Sequence, residues 1–347
     1  MVEPSIPLYL SLALGTFALI WALRNYVKPS TSSDDNDNEG GRRDATERSG
    51  QIRVSKLIIY PIKSCQGIEL KRVNLDKWGL ENDRRWMIVQ EGRFITQRKY
   101  PALANIAPSL DGMNLIVRAP NAQDLIVPIN LESPAKIEVT VWKDTMIAND
   151  CGDEAATWMS NVLQMPDLRL VQMGSEHRRA IRESYARTLV DGEPTQEDLN
   201  KYQFTFADAS QVMILSQSSI DDLNLRVEET RDDNNEEQRK KMDERRFRPN
   251  VLLLGTSAFE EDDWKTIRIG DALLHKVDRT GRCKFTTVDP DTAVLNPYND
   301  NEPLRTLGKY RKDTTGEVYL GILMVLAEPG ELQIGDIIDV IEKDTNK

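Results

Sequence analysis

From residue 51 onward, apolar positions come in short β-branched runs separated by turn formers, the alternation of a mostly β body. Strands are predicted at 52–60 (IRVSKLIIY), 84–89 (RRWMIV), 93–96 (RFIT), 113–119 (MNLIVRA), 124–129 (DLIVPI) and 136–142 (KIEVTVW). The pattern returns at 251–255, 264–269, 318–326 and 336–341, with Gly-Asp pairs after Ile269 and Ile334 that read as tight turns. Over 153–163 the period changes, and Ala156, Trp158, Met159 and Val162 fall on one side of a helix. A second helix is expected at 218–227, after the strand VMILS. Two polar stretches, 177–202 and 228–246, carry long charged runs, and the second (EETRDDNNEEQRKKMDERR) reads as a solvated, partly disordered loop. The expected fold class is mixed α/β, mostly β and barrel-like.

The chain ahead of this body has another pattern. Residues 6–23 (IPLYLSLALGTFALIWAL) contain no charge, and as a helix they would span roughly 27 Å, enough to cross a bilayer. No basic region precedes the run and no small-residue cleavage site follows, so a single uncleaved transmembrane helix is expected. Arg24 and Lys28 follow it and Glu3 precedes it, which places the body on the cytosolic side. A short, moderately apolar span suits a thin membrane, the mitochondrial outer membrane or the endoplasmic reticulum. Residues 24–50 read as a flexible tether.

Composition narrows the function. A chain of 347 residues exceeds a usual single core and predicts two packed domains. Lys plus Arg number 45 against 56 Asp plus Glu, a net charge of −11 that argues against nucleic acid as a partner. Cys65, Cys151 and Cys283 are too widely spaced for a disulfide framework or a zinc motif, which fits a reducing compartment. Two histidines, His177 and His275, are too few for a histidine metal site. No phosphate-loop, dinucleotide-binding, nucleophile-elbow or CxxC motif occurs.

Three polar islands adjoin strand ends instead. In Tyr60-Pro61-Ile62-Lys63-Ser64-Cys65, Lys63 and Ser64 could hold a phosphate oxygen, although a surface loop is the simpler reading. In Arg246-Phe247-Arg248-Pro249-Asn250, Arg248 could fork onto a phosphate with Asn250 beside it, or form a structural ion pair. The third island spans residues 279–290, where Cys283 lies between Arg282 and Lys284, charges that favour a thiolate, the soft ligand of a redox metal. Thr280, Gly281, Thr286, Thr287, Asp289 and Asp291 crowd around it. Buried packing is the commoner fate of a lone cysteine, and it is the expectation for Cys65 and Cys151.

Taken together over about residues 51–343, YPIKSC, NDRRWMIV, FADAS before VMILSQSSIDDLN, FRPN, RCKFTTVDPDT and PLRTLGKYR resemble the MOSC superfamily. Within it the likeness is to the family of mitochondrial amidoxime-reducing components. The resemblance implies an amino-terminal β-barrel domain (51–175) packed on a MOSC β-barrel domain (176–343), with a molybdenum-molybdopterin cofactor in the cleft between them. It implies Cys283 as the molybdenum ligand and Lys63, Ser64, Arg84, Ser210, Arg248 and Asn250 around the pterin phosphate, with Asp208 on the substrate side. The activity implied is reduction of N-hydroxylated compounds such as amidoximes and hydroxylamines. Electrons would come from NADH through a flavin reductase, cytochrome b5 reductase, and cytochrome b5. The competing reading is a membrane-bound cofactor carrier without turnover. A cofactor sulfurase would need a large pyridoxal-phosphate domain for which the chain has no room.

Overall fold

Alternating burial along the strands of the computed structural model, which describes residues 50–344 except 132, 134 and 231–239, organises four sheets. The main one has eight strands in the order β19 (Ile338–Lys343), β15 (Trp264–Ile269), β16 (Ala272–Gly281), β17 (Tyr319–Glu328), β13 (Val212–Ser216), β14 (Val251–Leu254), β1 (Arg53–Ile59) and β2 (Ile68–Leu70). Its neighbours are antiparallel except β13 and β14. A closed barrel joins β10 (Lys136–Val141), β11 (Asp144–Asp150), β12 (Leu168–Gln172), β5 (Trp86–Gln90) and β6 (Arg93–Phe94). Two three-stranded sheets complete the body, β18 (Gly330–Gln333) with β3 (Arg72–Asp76) and β4 (Gly79–Leu80), and β7 (Ala107–Asp111) with β8 (Asn114–Arg118) and β9 (Leu125–Pro128). Helices are few: α1 (Asp153–Leu163), α2 (Glu183–Ala186), α3 (Gln196–Lys201), α4 (Gln217–Glu229) and α5 (Leu304–Tyr310). The mostly β expectation therefore holds.

One face of the main sheet packs Leu57, Ile214, Leu253, Ile267 and Met324 into one core. The other face turns Met213, Leu215, Leu252 and Val325 toward Ile220, Leu223 and Val227 of α4. In the barrel, Trp86 and Ile88 of β5 pack with α1 and with β8 and β9, while Met87 and Val89 join Val139, Val141, Val171 and Phe206. The period of two in β5 thus serves two cores at once.

Two features differ from the linear reading. The main sheet crosses the boundary expected at 175/176, because β1 and β2 pair beside β14 before the chain enters the barrel. Strand pairing follows exposed backbone edges, and sequence separation does not limit it. The polar sequence ALLHKVDRTG forms β16, which bulges three times against β17. Each bulge re-aims the strand, and the last delivers the chain to Cys283. The expected anchor at 6–23 and, apart from Gly50, the tether at 24–50 lie outside the described residues, as do 231–239 of the charged loop. Among the described residues, no helix is long and apolar enough to cross a membrane.

Candidate functional site

Elements of the barrel and of the main sheet line a cleft of about 410 Å³. Lys63, Ser64, Arg84, Asp208, Ser210, Arg248, Asn250 and Cys283, far apart in sequence, all line it. Its walls carry eight cationic side chains, Lys63, Arg84, Arg98, Arg182, Arg246, Arg248, Arg279 and Arg282, against three carboxylates, Asp208, Asp278 and Glu317. In a chain with a net charge of −11, this inverted local field is an anion trap.

The cations are held by backbone geometry and buried acceptors. Ser64, Arg84 and Arg248 have φ of 67°, 47° and 59°, a left-handed conformation that costs a non-glycine residue free energy and recurs at functional sites. The turn at Arg84 sends its guanidinium to Asp83 (2.6 Å), while the next residue, Arg85, leaves the cleft for Asp76 (2.8 Å). Asp83 is the buried node beneath: it accepts from the Tyr60 N–H (2.8 Å), Arg84 (2.7 Å) and Asn250 Nδ2 (3.0 Å). The Tyr60 ring meets both guanidiniums, Arg84 at 4.4 Å and Arg248 at 3.9 Å. Arg248 also donates to the Cys65 carbonyl at 2.5 Å. Burial holds Arg248 below the ordinary guanidinium range, and Arg84 beside it adds to the effect. Burial likewise lowers Arg282.

Lys63 is 4 % exposed. Its ammonium donates to the Phe206 carbonyl (2.7 Å) and to Asp208 (2.6 Å). Burial, reinforced by Arg179 and Arg84 and opposed by Asp208, pushes its pKa down to about 8. Desolvated cations with too few carboxylates to neutralise them gain from an incoming polyanion. The cleft therefore fits a phosphate-bearing ligand.

Of the three thiols only Cys283 is exposed. It precedes a 3-10 turn (Lys284–Thr287), and its carbonyl accepts from the Thr286 N–H and Oγ1, both at 3.0 Å. This pins the backbone and leaves Sγ at the cleft. Cys65 and Cys151 match the packing expectation, since burial pushes each thiol up to about 12. Among the described residues, no cluster of three or more His, Cys, Asp and Glu is placed to hold a metal ion. A metal at Cys283 would have to bring most of its ligands on an organic group, and a cationic cleft suits an anionic one.

Not every expected residue offers its side chain to the cleft. Both Asn250 amide hydrogens are committed inward, to the Ile58 carbonyl (3.0 Å) and to Asp83 (3.0 Å), and its Oδ1 receives the Met213 N–H (3.1 Å). Asn250 therefore positions the strand rather than presenting a donor. Ser210 Oγ donates to the Val212 carbonyl (3.1 Å), leaving its lone pairs as acceptors. Asp208, 64 % exposed, accepts from Lys63 and from Trp142 Nε1 (2.8 Å). Arg98, Trp142 and Arg182 also line the cleft and were not expected there from the sequence, and Arg279, which opens the third island, joins them. Arg98, in the segment after β6, brings a guanidinium nitrogen within 3.8 Å of Cys283 Sγ, and nothing in the Thr96-Gln97-Arg98 segment signals it. Arg282 donates to the Phe247 (2.8 Å) and Leu320 (2.9 Å) carbonyls.

Comparison with known proteins gives two family matches, the MOSC N-terminal beta barrel domain over residues 51–166 and the MOSC domain over 201–339. Mitochondrial amidoxime reducing component 2 of Bos taurus is 36 % identical over 310 residues, covering 85 % of this chain and 84 % of that one. Mitochondrial amidoxime-reducing component 1 of Homo sapiens is 33 % identical over 296 residues, covering 82 % and 81 %. Among solved structures, the YuaD protein of Bacillus subtilis aligns with 83 % of this chain and 94 % of its own, at 12 % identity and a TM-score of 0.36.

Proposed function

The chain belongs to the MOSC-domain family of the mitochondrial amidoxime-reducing components, and on that premise we propose that it is a molybdenum-cofactor oxidoreductase that reduces N-hydroxylated compounds. The observation that carries this reading is the pairing of one exposed thiol, Cys283, with a cleft of eight cations and three carboxylates. When bound, the cofactor supplies the two-electron chemistry. Cys283 would be the protein ligand to molybdenum, and Lys63, Ser64, Arg84 and Arg248 would hold the pterin phosphate. Asn250 and Asp83 act one layer below, fixing Arg84 and the β13 backbone, so the cationic wall is pre-organised. Asp208 keeps Lys63 charged and reaches toward the substrate.

In the overall reaction the N–O bond of an amidoxime breaks, two electrons and two protons are taken up, and amidine and water leave. NADH is the reductant in this reading, acting through cytochrome b5 reductase and cytochrome b5. The relatives' names support a mitochondrial location, and the apolar segment 6–23 supports attachment to the outer membrane with the body facing the cytosol.

A reconstituted assay with NADH, the flavin reductase, cytochrome b5 and benzamidoxime tests the proposal. Turnover is expected, together with about one molybdenum per chain. Cys283→Ala should abolish turnover while circular dichroism shows an intact fold. Cofactor-loaded protein that stays silent across several N-hydroxylated substrates would replace the enzyme with the carrier reading.

A further inference from the structure

A tryptophan stands where the backbone calls for glycine. β10 and β11 pair up to Val141 opposite Asp144, leaving Trp142 and Lys143 as a two-residue hairpin loop. Trp142 takes φ of 58°, and glycine, asparagine or aspartate usually fills such a position. A bulky residue persists there only if its side chain is held by something else. Three contacts hold this one at the mouth of the cleft, 42 % exposed. Its Nε1–H donates to Asp208 at 2.8 Å, its ring meets Phe94 edge-on at 5.2 Å, and the Arg98 guanidinium stacks against it at 4.8 Å.

Arg98 is itself unusual among the cleft cations. Arg84 and Arg246 pair with Asp83 and Asp289, and Lys63 pairs with Asp208. Arg182, Arg248 and Arg282 donate to backbone carbonyls. Of the eight cleft cations, all among the described residues, only the guanidiniums of Arg98 and Arg279 donate to no oxygen, and of these two it is Arg98 that reaches Cys283, at 3.8 Å from Sγ. A guanidinium presents five N–H donors in a rigid plane and keeps its charge. Stacked on Trp142 it has a fixed direction, spare donors and no acceptor oxygen, beside the thiol where the reaction is proposed to occur.

We propose that Arg98 is the donor that receives the hydroxylated nitrogen group of the substrate beside Cys283, and that Trp142 is the positioning residue that holds its guanidinium there. This rests on the reductase reading. The oxygen of an N–OH group has lone pairs to accept from the fork, and the conjugated N–C–N plane of an amidoxime or hydroxyguanidine can lie against the flat guanidinium and indole.

The experiment uses the full, cofactor-loaded chain and benzamidoxime. Its dissociation constant is measured by calorimetry without reductant, turnover is measured in the reconstituted assay, and molybdenum content is measured in parallel. Arg98→Gln should weaken binding and raise KM roughly ten- to a hundredfold, as for losing a hydrogen bond to a charged group, with molybdenum per chain unchanged. Trp142→Gly should give the same direction of change while the melting temperature is unchanged or higher, since glycine relieves the backbone. Trp142→Phe should restore part of the affinity by keeping the stacking face. Wild-type affinity and KM in Arg98→Gln would overturn the inference. So would parallel loss of molybdenum, which would assign Arg98 to the cofactor. If the wild type neither binds nor reduces benzamidoxime, the reductase reading fails, and the inference with it.

Discussion

Lys63 is an ammonium taken out of water and left beside other cations, so its proton is held loosely, with a pKa lowered from 10.5 to about 8. The sign of the linkage follows from which state binds more protons. Between about pH 8 and 10.5 the unfolded chain keeps a proton that the folded chain has released. Stability from this group therefore rises with pH across that window, and the cost of burying the charge is fully present below it. Anion binding runs the other way, because the ammonium is the part that attracts the anion. Inorganic phosphate should raise the melting temperature of cofactor-free protein at pH 7, and the rise should shrink as pH passes about 8. Lys63→Met should remove that pH dependence, and a phosphate effect that is constant to pH 10 would argue against the role given to Lys63. At this scale the sequence was informative about identity and blind to commitment. Lys63, Arg248 and Cys283 could be named from their islands, but no local pattern reveals that the Asn250 amide is used up on Ile58, Asp83 and Met213.

Among the elements, legibility followed the purity of the period. Apolar runs such as 264–269 and 212–216, and the helix at 153–163, form where the pattern puts them, because the period of each is unbroken, whether it buries one face or, as in 212–216, both. β16 escaped notice since its outer half is polar and its three bulges break the alternation, yet it is the strand that leads to Cys283. Its partner β17 depends on a special residue. Gly321 has φ of 79°, and a Cβ there would lie 2.7 Å from the Ile214 carbonyl oxygen and 2.6 Å from Met213 Cε. The carbonyl cannot move without breaking the pairing of β13 with β17. Gly321→Ala is expected to cost roughly 2 kcal/mol or more, read as a lower midpoint in urea unfolding, and an unchanged midpoint would show that the strand can shift aside.

For the whole molecule, the body from residue 48 onward is one compact unit. Removing residues 1–28 should yield a folded protein that keeps its molybdenum and no longer sediments with membranes; an aggregated product would mean that the segment packs on the body. By itself the sequence determined the strand-rich class, the likeness to a family and the residue types of the site, because these depend on local periodicity and on short motifs. Only the tertiary structure decided that β1 and β2 belong to the main sheet, and that a chain of net negative charge gathers eight cations around one cleft. It also decided that Arg98, in a segment without a motif, meets Cys283. Those facts are relations between distant parts of the chain, set by strand pairing and the joint burial of four cores, and a local pattern carries no record of them.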